Sequence, residues 1–188
     1  MARIGRVLGG LTATLLLAGC GYNTIQTKDE AVNAAGSQIK TQLQRRADLI
    51  PNLVATVQGF AKQETTVFIR VTEARSRLAT AVQGGNLQEM AAANAALNAP
   101  LGRLLATVEN YPELKSNQNF LQLQDQLEGT ENRIAVARQD YNRAVEDFNA
   151  FIRRFPYNLT AKVTGHGKPR EYFELTGPEA SEVPKVKF

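Results

Sequence analysis

The chain has 188 residues, 43% of them apolar and 21% charged, with a formal net charge of +4 at neutral pH. That is apolar content enough for one packed domain without metal or disulfide support. A single cysteine excludes an intramolecular disulfide, and 22 basic against 18 acidic side chains, with only Arg45-Arg46 and Arg153-Arg154 as tight basic pairs, argue against a nucleic-acid binder.

Arg3 and Arg6 precede a run from Val7 to Ala18 in which every residue is apolar, Gly or Thr. This is a basic n-region followed by a short h-region, and the run falls short of the roughly 20 residues a membrane-spanning helix needs. It closes on Leu17-Ala18-Gly19-Cys20, which resembles the lipobox of bacterial lipoproteins. In such proteins the Cys thiol is alkylated with diacylglycerol, the leader is cut before it and the new amino group is acylated. The expectation is a signal peptide over residues 1–19, lipidation at Cys20 and a lipid-anchored tether over 20–26. A lipid-bearing Cys20 serves neither as a nucleophile nor as a metal ligand.

From Thr27 to Pro156 helix formers dominate, which predicts an all-α fold. Thr27 with Glu30 three residues on reads as a capping box opening a first helix that runs toward Leu49. Pro51 then imposes either a kink or a fresh start, because it removes one backbone donor and crowds the preceding turn. A second stripe follows in Ile50, Val54, Val57, Ala61, Glu64, Phe68, Val71, Arg75, Leu78 and Val82, in steps of four and three. Gly84-Gly85 ends it, and Asn86 with Glu89 forms another capping box for an alanine-rich third helix, about Leu87 to Glu109, which Pro100 and Gly102 would bend. Tyr111-Pro112 marks a turn. A fourth helix starts near Ser116 or Asn117 and reaches Phe155, its stripe including Leu127, Ile134, Tyr141, Val145, Phe148 and Ile152.

The short connections predict an elongated antiparallel bundle of three to four long helices over residues 27–156. Residues 157–188 read as an extended C-terminal tail, partly docked through Tyr172, Phe173, Val186 and Phe188.

Several polar residues sit where the bundle should be apolar. Glu64 and Arg75 fall in the second stripe, and Glu131, Arg138, Asn142 and Asn149 form a row bordering the fourth. Counting from the turns brings Arg103 opposite Glu64 and Glu131, and Asn94 near Arg75. This set reads as a polar network that fixes register. A carboxylate site built on Glu64 and Glu131 is the competing reading, but no Glu-x-x-His element occurs, and the single histidine, His166, lies outside the helices in "TGHGKP". No G-x-S-x-G, Walker or G-x-G-x-x-G pattern is present. Neither a metal nor a cofactor is expected.

Tyr22-Asn23, "QLQRRADLIPNLVATVQGFAKQE" from Gln42, "EAR" at 73–75, "VENYPELKSNQNFLQLQDQLEGTENRIAVARQDYNRAVEDFNAFIRRFP" from Val108 and the closing "PKVKF" together resemble the LemA family of bacterial membrane-associated helical proteins. The resemblance covers nearly the whole chain after the leader. It implies an antiparallel helical fold with its N-terminus at a membrane and its body outside the cytoplasm, and it carries no catalytic residues with it. Many members look anchored by an uncleaved N-terminal helix, from which Leu17 to Cys20 departs.

Arg45 and Arg46 match the family pattern without a structural reason visible in the sequence, and both are candidates for contact with a partner or with anionic lipid. The resulting expectation is a non-enzymatic, lipid-anchored cell-envelope protein. It would sit on the cell membrane or the outer membrane, presenting a helical surface to a protein partner or to a second copy of itself. An enzyme or metal-binding bundle and a membrane-surface lipid-binding protein are the alternatives.

Overall fold

The computed structural model describes residues 21–174. Cys20, the leader before it, and Val186 and Phe188 of the tail lie outside the described residues. All regular structure within them is helical: α1 (Tyr22–Phe60), α2 (Thr65–Gly84), α3 (Leu87–Val108), the single turn α4 (Pro112–Lys115), α5 (Gln118–Arg153) and α6 (Tyr157–Val163). The described chain forms two compact units, one of residues up to Ala35 with Gln139–Tyr172, the other of Gly36–Arg138 with the chain from Phe173 on.

In the second unit the chain reverses at residues 61–64 and again at 85–86, so α2 lies antiparallel to its neighbours. Its core is Ile39, Leu43, Ile50, Leu53 and Val57 of α1, Phe68, Val71 and Leu78 of α2, Met90, Leu97 and Leu104 of α3, and Phe120, Leu127 and Ile134 of α5. These recur at steps of three, four and seven, the period that aligns one face of a helix with a core. Gly85 ends α2 with a φ of +77°, a left-handed conformation that glycine adopts without Cβ strain, and its N–H donates to Ala81 O. Asn86 caps α3 as its spacing predicts: its side-chain oxygen accepts from Gln88 N at 2.9 Å and Glu89 N at 3.3 Å. Asn117 caps α5 in the same way, through Asn119 N and Phe120 N.

One expectation about α1 is corrected, and one open alternative is decided. Thr27 is not a cap: the helix already begins at Tyr22, and the Thr27 hydroxyl donates back to Asn23 O at 2.9 Å. Pro51 does not divide the helix, which passes through it and continues to Phe60. The interruption falls instead at residues 61–64, inside the expected second stripe, where Ala61 is fully buried and Glu64 N donates to Ala61 O at 3.1 Å. The stripe from Ile50 to Val82 therefore belongs to two antiparallel helices, which is why a straight count along it misplaces Glu64.

The first unit holds the start of α1, the end of α5, α6 and the irregular segment that follows. Lys28 lies 5.9 Å from the centre of the Phe151 ring and 3.9 Å from the Asp147 carboxylate. Phe151 stacks on Tyr157 with ring centres 4.4 Å apart, and Tyr157 in turn covers Gly21. Residues 157–163, expected as part of the extended tail, are helical: Asn158 N donates to Arg154 O at 2.8 Å across Pro156, and Thr160 and Ala161 turn inward.

Candidate functional site

Pro51 has no N–H, so the carbonyl of Ala47, four residues earlier, loses its helical donor. Ala47 is fully buried, and an unpaired carbonyl there costs about 1–3 kcal/mol. Arg75 on α2 supplies the missing bond, its Nε donating to Ala47 O at 3.1 Å. Its guanidinium also stands 3.9 Å from the Asp48 carboxylate, a part-exposed pair that adds little. The arginine in the α2 stripe thus repairs the proline in α1 and in doing so fixes how the two helices register.

One turn away is the main polar cluster of this unit. Ile39, Leu43, Arg46, Ile50, Leu53 and Val57 follow steps of four and three, and Arg46 occupies that core stripe with only 5% of its surface exposed. Asn94 stands equivalently on α3 among Met90, Leu97, Leu101 and Leu104. Arg46 Nη1 donates to Asn94 Oδ1 at 2.7 Å and to the Glu131 carboxylate of α5, while Nη2 donates to Asn98 Oδ1 at 3.0 Å. One guanidinium therefore ties three helices together. Burial pushes its pKa below the usual arginine value, and the Glu131 carboxylate pulls it partly back. Its Nε finds no hydrogen-bond partner among the described residues.

The expected polar set is therefore regrouped. Glu131 and Arg75 are engaged as described, with Arg46 rather than Glu64 as the partner of Glu131. Arg46 is corrected as a contact for lipid or a partner, since it is interior. Arg45 beside it is exposed and remains open to such a contact. Arg103 is exposed on α3, lining a small cleft with Thr66, Val67, Arg70 and Pro100, and does not enter the cluster. Glu64 is half-buried just ahead of α2, where its backbone carbonyl accepts from Val67 N and Phe68 N. Arg138 lies with its guanidinium carbon 5.3 Å from the centre of the Phe173 ring, a cation–π contact that holds the buried Phe173.

In the other unit Asn149 is buried, and its side chain makes a paired contact with the backbone of Arg170, accepting from its N–H at 2.7 Å and donating to its carbonyl at 2.9 Å. Arg170 closes onto Asp29 of α1 through two donors, at 3.0 and 2.7 Å. The Tyr141 hydroxyl donates to Glu171 O at 3.1 Å, and burial raises its pKa above the usual tyrosine value, with Arg170 lowering it and Glu171 raising it further. Asn142 is half-buried on α5.

Asn98, Asp29 and Arg170 were not singled out by sequence, and Asn94 was placed beside the wrong arginine. The signal for Arg46 and Asn94 was present in their three–four spacing with buried leucines. Among the described residues no group of His, Cys, Asp and Glu is arranged to hold a metal ion, and no hydrogen bond or ion pair joins Glu64 to Glu131. No described helix is long and apolar enough to cross a membrane. An open cleft of about 680 Å³ runs between α2 and α3, lined by Glu73, Ser76, Arg77, Thr80, Glu89 and Ala93 among others. Its charges are mixed, and neither Glu64 nor Glu131 reaches it.

The chain is similar to magnetosome protein MamQ 2 of Paramagnetospirillum magneticum, 31% identical over 185 positions that cover 86% of this chain and 66% of that protein. It is similar also to magnetosome protein MamQ of Magnetospirillum gryphiswaldense, at 27% identity over 81% of this chain and 64% of the relative. Protein LemA of Metamycoplasma hominis matches at 23% identity over 87% and 71%. The chain spans a little under two thirds of the length of the magnetosome relatives. The model of the LemA family matches residues 35–188, a span that takes in the Pro51–Arg75 repair and the Arg46 cluster, and the chain belongs to the LemA family.

Proposed function

We propose that this protein is a lipid-anchored component of the cell envelope whose helical body is a non-enzymatic scaffold presenting its surface to a protein partner. The observation that carries this reading is the Arg46 cluster. Its charges and amides are spent on one another across three helices, as a register-fixing core does, instead of facing a cavity where chemistry could occur. Leu17-Ala18-Gly19-Cys20 supports the anchor, with the body held outside the cytoplasm, and Gly21 after Cys20 favours the outer membrane in a bacterium that has two.

Crosslinking in intact membranes tests the interaction. A specific partner, or a second copy of the chain, is the expected product, and recovery of neither above background removes the scaffold reading. Mass spectrometry of the N-terminal peptide tests the anchor, for which residues 1–19 still joined to an unmodified Cys20 would be the defeating result.

A further inference from the structure

Around α6 the first unit carries apolar side chains turned to solvent. Phe155 is 80% exposed, Leu159 56%, Val163 88% and Tyr22 43%. Leu159 and Val163 stand one helical turn apart on α6, on the side away from the buried Thr160 and Ala161. Isolated exposed apolar residues are ordinary, but these alternate with cations. From Phe148 to Arg170 the sequence contains Arg153, Arg154, Lys162, Lys168 and Arg170 and no Asp or Glu. Arg170 is taken by Asp29. The other four are exposed and make no ion pair among the described residues.

The same surface lies where the chain enters the fold. Gly21 sits so close to Tyr157 that a Cβ on it would stand 2.4 Å from a ring carbon, and its φ of +107° requires glycine. Since α1 begins at Tyr22, Gly21 alone separates Cys20 from the helix, a reach of only about 3.8 Å per residue. The tether expected over 20–26 is almost entirely absorbed into α1.

We infer that α6 and the turn before it form a foot that rests on an anionic lipid surface. Phe155, Leu159 and Val163 enter the interfacial layer, Tyr22 sits at headgroup level, and Arg153, Arg154 and Lys162 meet the lipid phosphates. The orientation rests on the proposed anchor at Cys20, whereas the lipid chemistry rests on the exposed apolar and basic side chains. A foot of this kind converts a one-point attachment into a fixed stance of the first unit on the bilayer.

The test uses the full-length protein, carrying Leu159→Cys or Val163→Cys labelled with a polarity-sensitive fluorophore, in vesicles of phosphatidylcholine and phosphatidylglycerol. Ile69→Cys on α2, 58% exposed in the native chain, is the control. Lipids bearing a nitroxide high on the acyl chain should quench the two α6 labels severalfold more than the control, and omission of phosphatidylglycerol should weaken that quenching. Equal quenching at all three positions, with Cys20 found acylated by mass spectrometry, overturns the foot and leaves the anchor standing. Strong α6 quenching that persists with Cys20→Ser, which leaves the α6 cysteine as the one thiol, sustains the foot independently of the anchor. Quenching indifferent to phosphatidylglycerol refutes the anionic surface as the occupant.

Discussion

Arg75 is placed to repair the carbonyl that Pro51 orphans, and a double-mutant cycle measures that repair. Arg75→Met keeps the aliphatic stem against α1 but deletes the donor, leaving the carbonyl of the buried Ala47 without its partner. The cost expected in the native Pro51 background is about 1–3 kcal/mol, the penalty of a buried unsatisfied carbonyl. In a Pro51→Ala background, residue 51 regains an N–H that can donate to Ala47 O, and Arg75→Met should then cost less than about 1 kcal/mol, close to the value of its part-exposed pairing with Asp48. With central costs of about 2 and about 0.5 kcal/mol in the two backgrounds, the coupling energy is about 1.5 kcal/mol, outside the roughly 0.3–0.5 kcal/mol scatter of independent sites. Urea unfolding of the four proteins, followed by far-UV circular dichroism, supplies the numbers. Additivity within that scatter would show that the Arg75–Ala47 bond does not compensate for the proline.

Arg46→Met should destabilise the protein by about 1–3 kcal/mol, because Asn94 Oδ1 is left buried without a donor, and adding Asn94→Leu should recover most of the loss. A neutral Arg46→Met in the same urea assay would contradict the cluster's role. Tyr141 has its pKa raised in the fold, so the stability it contributes is complete below the ordinary tyrosine value of 10.0 and is lost as pH rises through the folded-state value. Tyr141→Phe should therefore flatten the alkaline limb of the stability–pH curve, and an unchanged limb would count against it. Asn149→Ala should cost about 1–3 kcal/mol and accelerate amide exchange at Arg170, whose N–H loses its acceptor, with little change in α2 and α3. Uniform acceleration throughout the chain would instead indicate global destabilisation.

Much of the helical architecture could be read from local chemistry. Gly84-Gly85, the Asn86 cap and Tyr111-Pro112 each act within a few residues of where they stand, so the limits of α3 and the two turns beside it were visible in the chain. The same locality misled at Thr27 and left two outcomes open at Pro51. A capping box is only a local preference, and α1 extends a further turn because its start is packed under Tyr157, a residue far along the sequence. Proline withdraws one hydrogen bond, and whether a helix survives that loss depends on what else reaches the carbonyl. Here Arg75 does, from another helix.

The polar residues divide in the same way. Spacing of three and four placed Arg75 on a core face and marked Arg46 and Asn94 for one as well, since periodicity is a property of the chain alone. Pairing is not. A continuous stripe from Ile50 to Val82 gives no sign of the reversal at residues 61–64, and reading residues 50–60 into the second helix pairs Glu131 with Glu64 and Arg103 instead of Arg46. The exposure of Phe155, Leu159 and Val163 was equally hidden, because an apolar residue at helical spacing looks the same whether or not another element covers it. The sequence by itself determined the all-α character of the chain, the Asn86 cap and the turns at Gly84-Gly85 and Tyr111-Pro112, because each of these acts locally. Only the tertiary structure decided which partners the polar residues found and which apolar side chains found none, because partners are set by chain direction and packing between segments distant in sequence.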